Sequence, residues 1–154
     1  MLIDFNDISN DSRIWIYSSD KKLSPDQEKY ISSKVSNHIN NWQAHNNPLK
    51  ASVAIFENYF IIVALDESFA KASGCSIDTL QNLIQQLEVD LKLSLLNRMN
   101  IYIKNEDEIR CVSLSNLKNY ANSDTLFYDL TVNYKKDLMT YLKPIKNSWC
   151  NSYI

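Results

Sequence analysis

Phe60-Ile61-Ile62-Val63-Ala64-Leu65 is the stretch on which the reading of this chain turns. Six consecutive apolar residues leave no polar side for solvent, so a strand here is central and buried on both faces. Upstream, residues 49–56 are equally rich in β-formers. The polar pair Glu57-Asn58 between the two runs predicts a β-hairpin with a tight turn. Asp66-Glu67-Ser68 ends the second strand.

Moving outward from this hairpin, Arg13-Ile14-Trp15-Ile16-Tyr17 predicts another strand. Ser24-Pro25-Asp26-Gln27 predicts a helix start, with Ser24 as N-cap, Pro25 in the first turn and Gln27 closing a capping box. Ile31, Val35, Ile39 and Trp42 continue it at helical spacing, giving a helix near 25–42 that ends before Asn46-Asn47-Pro48. On the other side, Leu80, Leu83, Ile84, Leu87 and Leu91 predict an amphipathic helix over 77–92 with Ser76 as N-cap. A second hairpin is expected from 99–104 and 109–113 around Asn105-Glu106-Asp107-Glu108. A short helix at 115–120, a strand at 126–132 and a helix at 134–143 complete the order. This pattern predicts an α+β fold: a single, mostly antiparallel sheet with two main helices on one face. Residues 1–12 read as a flexible N-terminal segment, and 13–154 as one domain.

Composition narrows the function classes. The 154 residues are 45% hydrophobic and 22% charged, which suits a globular chain with a core of its own. A net charge of −2 argues against a nucleic-acid partner, which calls for a basic face. The three cysteines are odd in number and widely spaced, and no CxxC pair occurs, so neither a disulfide framework nor a metal site is expected. The opening residues lack the basic and apolar regions of a secretory leader, and no apolar run reaches the roughly 18 residues needed to span a bilayer. The expectation is a cytoplasmic protein with no membrane partner. There is one glycine, Gly74, against eighteen asparagines. A Walker loop or a dinucleotide-binding turn needs several glycines, so no nucleotide and no cofactor are expected. Asn tolerates left-handed backbone and is the natural substitute in turns.

Chemistry is most concentrated from Leu65-Asp66-Glu67-Ser68 to Ser73-Gly74-Cys75-Ser76-Ile77-Asp78. A thiol here precedes a predicted helix, whose N–H groups and dipole favour an anion. Ser73, Gly74, Ser76 and Glu67 are the candidate ligand-binding residues, for a partner protein or a small anionic ligand. The favoured reading is a non-catalytic binding or adaptor domain that uses the loop 66–76. The alternative is a cysteine-dependent hydrolase or transferase with Cys75 as nucleophile, His45 as base and Asp66 as orienter. The ordinary role of such a turn is a helix cap, with Cys75 and Cys111 as small buried apolar residues. His45 is expected near the end of the first helix and His38 on its solvated side. Trp15, Trp42 and Trp149 are expected in or beside the core.

Several strings also carry a resemblance. Trp42-Gln43-Ala44-His45, Asp66-Glu67-Ser68, Ala72-Ser73-Gly74-Cys75-Ser76-Ile77-Asp78 and Pro144-Ile145-Lys146-Asn147-Ser148-Trp149 resemble a family of small uncharacterised proteins from Bacteroidota. The similarity covers most of 13–149, and Ser73–Asp78 is its most specific part. Members of that family often carry the name ABC transporter ATPase. The Walker loop which that activity needs is missing, because Gly74 is followed by Cys75 rather than by Lys. The resemblance also implies a His after the C-terminal Trp, where this chain has Cys150. It implies family membership and no particular activity.

Overall fold

The computed structural model describes residues 1–154. Its elements run β1 (Arg13–Ser18), α1 (Pro25–Asn40), β2 (Gln43–Ala44), β3 (Asn47–Pro48), β4 (Ala51–Phe56), β5 (Phe60–Leu65), α2 (Gly74–Leu91), β6 (Asn100–Asn105), β7 (Glu108–Ser113), β8 (Leu126–Tyr128) and β9 (Leu142–Pro144), with four short 3-10 helices after β7. The fold is α+β with antiparallel sheets. The strands do not form one sheet. They form three, ordered β1-β5-β4, β2-β3 and β7-β6-β8-β9. Where the sequence suggested one domain over 13–154, the chain divides into two compact units. The first is Met1–Leu96 with Asn133–Lys136, and the second is Asn97–Val132 with Asp137–Ile154.

In the first unit β5 is the central strand, paired antiparallel with β1 and β4, and all six of its residues are buried. Its odd-numbered residues Ile61, Val63 and Leu65 share a core with Ile31, Val35 and Ile39 of α1 and Leu80, Ile84 and Leu87 of α2. Both helices therefore cover the same face of this three-stranded sheet. Burying each such side chain contributes about 1.5–3 kcal/mol. The β4–β5 turn closes with Tyr59 N–H donating to Phe56 C=O at 3.1 Å, and Glu57 and Asn58 both take positive φ. The capping box at Ser24 forms as its residues imply: Gln27 N–H donates to Ser24 Oγ and Ser24 N–H to Gln27 Oε1.

Residues 1–12, expected to be flexible, are docked on this unit. Leu2 bridges Ala51, Ile3 N–H donates to Ala51 C=O, and Ile8 is buried. Asn133–Lys136 adds to the free edge of β1, with Ile14 N–H donating to Asn133 C=O and Lys135 Nζ to the carbonyls of Phe5 and Ile8. Buried carbonyls need donors, and this lysine supplies two bonds from a distant part of the chain.

The second unit is an antiparallel sheet over a core of Ile101, Ile103, Val112, Leu117, Phe127, Ile145 and Cys150. The β6–β7 hairpin falls where the sequence placed it, with Asn105 opposite Glu108. The helix expected at 134–143 does not form. A 3-10 helix spans Lys135–Met139, and Leu142–Pro144 becomes β9, paired with β8. Pairing with a strand distant in sequence outweighs the local helical preference of the segment.

Candidate functional site

The loop after β5 is built from its own side chains. Asp66 Oδ1 accepts from Ser68 N–H at 3.1 Å and from the Ser68 hydroxyl at 2.6 Å. Lys50 Nζ stands 3.8 Å from Asp66 Oδ2. The Ser68 hydroxyl, its N–H and the Lys50 charge hold the Asp66 carboxyl below its ordinary pKa against the opposing effect of burial. Glu67 Oε2 accepts from Ala72 N–H at 3.1 Å and lies 3.9 Å from the Arg13 guanidinium. Both carboxylates thus brace the loop, and at its crown Phe69 is left 63% exposed.

Helix α2 begins three residues earlier than expected. Its N-cap is Ser73, not Ser76. Ser76 N–H donates to Ser73 Oγ at 3.0 Å, and Ser73 N–H returns a bond to Ser76 Oγ at 2.8 Å. This is the reciprocal capping box with Ser in the position usually taken by Glu or Gln. The Ser76 hydroxyl also donates to Ser73 C=O, and Ser76 itself is buried. The candidate ligand residues Ser73 and Ser76 are therefore engaged with each other. Gly74 becomes the first helical residue. It has no positive φ and nothing within 4 Å of the position a Cβ would occupy, so neither backbone nor packing demands glycine there. Cys75 is exposed, against the expectation of a buried thiol. The earlier helix start turns it outward on the first turn. Cys111 is half-buried, and Cys150 is the buried cysteine. Burial, with the Asp129 charge, pushes the Cys150 thiol up to about 12.

His45 is not at a helix end. Helix α1 stops at Asn40, and His45 and Asn46 form the tip of the β2–β3 hairpin, both with positive φ. His45 is exposed there. No hydrogen bond links it to Cys75 or Asp66, so the structure does not assemble the three into a relay.

The imidazole with an unusual environment is His38, expected to be solvated. It is half-buried, and its Nε2 is buried without a hydrogen-bond partner. Its ring lies 5.8 Å from that of Trp42. Trp42 packs edge-on against Trp15 at 6.1 Å and donates its indole N–H to Ser76 C=O at 2.8 Å. Asn37, His38, Asn41, Trp42, Gln43 and Thr79 line an open cleft of about 480 Å³. A signal for His38 was present in the sequence. It stands three residues after Val35 and four before Trp42, beside the apolar stripe. Trp149, expected near the core, is 41% exposed.

No protein-family model matches the chain, and no curated protein or solved structure is significantly similar to it. No helix is long and apolar enough to cross a membrane.

Proposed function

We propose that this protein is a non-catalytic cytoplasmic binding domain whose contact surface is the loop 66–76 and whose partner is another protein. The observation that carries this reading is Phe69, an aromatic side chain 63% exposed on a loop whose two carboxylates are turned inward to brace it. A braced loop loses little freedom when it binds, and an exposed aromatic is the residue type that anchors interfaces. The small anionic ligand is the weaker form of the proposal. The N–H groups of Gly74 and Cys75 have no carbonyl acceptor within the helix, but the Ser73 and Ser76 hydroxyls already bond each other. The cysteine-dependent alternative draws on the exposure of Cys75, and no hydrogen bond joins that thiol to His45 or Asp66.

A photo-crosslinking amino acid placed at 69, and at the still more exposed Val89 as control, tests the reading in a lysate of the source organism. Position 69 is expected to give a discrete adduct, absent at 89, that excess unmodified protein competes away and Phe69→Ser protein does not. The same adduct pattern at both positions, or equal competition by the Ser variant, sinks it.

A further inference from the structure

The inference rests on His38. It sits in the last turn of α1, where its Nε2 is enclosed without an acceptor and its ring lies against Trp42. A neutral imidazole leaves one nitrogen without a proton, so an enclosed, unbonded Nε2 is tolerable only in that form. An imidazolium carries a proton on both nitrogens. It would place an N–H and a charge in a site that offers neither acceptor nor counter-charge, which is costly.

The charged surroundings agree. The cleft beside His38 is lined by Asn37 of α1, the C-cap residue Asn41, Trp42 after it, Gln43 of β2 and Thr79 of α2, and none of these is charged. One turn earlier on the same helix stands Lys34, and the α-ammonium of Met1 donates to Ile39 C=O at this helix end. Lys34 is turned to the Tyr30 ring, Asp78 stands next to Thr79 on α2, and neither bonds the imidazole, whose enclosed nitrogen has no charged partner. Burial pushes the His38 pKa below its ordinary value, in the same sense as the geometry.

The ring has a way out. An imidazolium that turns into the open cleft regains water, but it leaves Trp42. Trp42 is the joint of this corner, since it packs on Trp15 of β1 and bonds the first-turn carbonyl of α2.

We propose that His38 and Trp42 form an acid-sensitive latch: neutral His38 seals the indole against the start of α2, and protonation swings the ring into the cleft and loosens the end of α1 from the first turn of α2. No reaction is involved beyond the uptake of one proton from solvent. The proposal stands independently of the loop 66–76 and its partner.

Nuclear magnetic resonance of the intact chain tests it between pH 8 and pH 5. The readouts are the His38 ring nitrogens and the exchange protection of the Trp42 indole N–H, corrected for intrinsic exchange. His38 is expected to titrate below the ordinary imidazole range. Trp42 protection is expected to fall through that transition by up to about tenfold per pH unit, the limit for one proton. His38→Phe keeps a ring against Trp42 and removes the proton, so its protection profile is expected to be flat. A wild-type indole whose protection does not change with pH overturns the latch. So does a His38 that titrates at or above the ordinary imidazole range, or an unaltered pH dependence in the Phe variant. The first two outcomes need no variant to fold.

Discussion

Asp66 and Asp129 hold the same position in two different sheets. Each is the first residue beyond a strand whose last two residues are buried, β5 in one unit and β8 in the other. Each donates its own N–H to a carbonyl of the neighbouring strand region, Lys50 for Asp66 and Tyr141 for Asp129. One carboxylate oxygen of each accepts from the N–H and hydroxyl two residues on, Ser68 at 3.1 and 2.6 Å and Thr131 at 3.0 and 2.5 Å. The other oxygen faces a lysine, Lys50 at 3.8 Å and Lys143 at 3.2 Å. The recurrence matters because Asp66 belongs to the candidate catalytic set and Asp129 to no candidate site. A device used twice, once away from any proposed chemistry, is a way of ending a buried strand, and it accounts for Asp66 without a catalytic role. The two differ in degree. Lys143 is within hydrogen-bond reach of its carboxylate and Lys50 is not. Burial pushes the Asp129 carboxyl up, and the Thr131 bonds and Lys143 outweigh it, so both carboxyls lie below the ordinary range.

The cysteines give the widest separation between the two units. Cys75 is exposed in the first, while Cys150 is buried in the second with its thiol pushed up to about 12. At pH 8 only about one Cys150 in 10⁴ is thiolate and its sulfur is enclosed, so iodoacetamide is expected to modify exposed Cys75 far faster than Cys150. Mass spectrometry of the native protein at timed intervals measures this. Comparable rates would mean that the core around Cys150 opens readily.

Removing the aspartates tests the comparison itself. Asp129→Ala leaves Lys143 and the Thr131 hydroxyl unpaired in a partly buried site and is expected to cost about 2–3 kcal/mol. Asp66→Ala is expected to cost about 1–2 kcal/mol, because its lysine is farther away and more exposed. Urea unfolding at pH 7 ranks them, and the reverse order would break the parallel. Acid sharpens it. A carboxyl whose native pKa is depressed adds stability that is complete above its unfolded value, about 3.9, and is lost as pH falls through the native value. The gap between wild type and each variant should therefore shrink between pH 5 and pH 2, and a constant gap would show that the ionised form is not what stabilises.

The smallest effect concerns the two hairpins. Glu57 in the β4–β5 turn and Glu106 in the β6–β7 turn both take positive φ, at 60° and 54°. Left-handed backbone strains a residue with a side chain and costs glycine nothing. Glu57→Gly and Glu106→Gly are each expected to stabilise by about 0.5–1 kcal/mol, less whatever glycine gains in the unfolded chain. Calorimetric melting temperatures report it. Destabilisation at one turn alone would show that its glutamate makes a contact the other lacks.

What the sequence determined by itself was local. The apolar run 60–65 specifies a buried strand because no register of it presents a polar face. Ser24 to Gln27 specify the start of α1 because both bonds of the capping box lie within four residues. Glu57-Asn58 marked a turn for the same reason. Asn took only two of the six left-handed non-glycine positions, Asn46 and Asn58; His45, Glu57, Lys92 and Glu106 hold the others. The tertiary structure decided the rest. Ser73 and Ser76 are both competent N-caps, and the choice fell to Ser73, where the Trp42 indole reaches Ser76 C=O from 34 residues away. That choice exposes Cys75. Residues 142–144 became a strand because β8 offered them a partner, which no local periodicity records. The division into three sheets, the hairpin tip at His45 and the enclosed nitrogen of His38 have the same origin. Each depends on which distant backbone or ring lies alongside, and contacts between residues far apart in the chain leave no spacing to read.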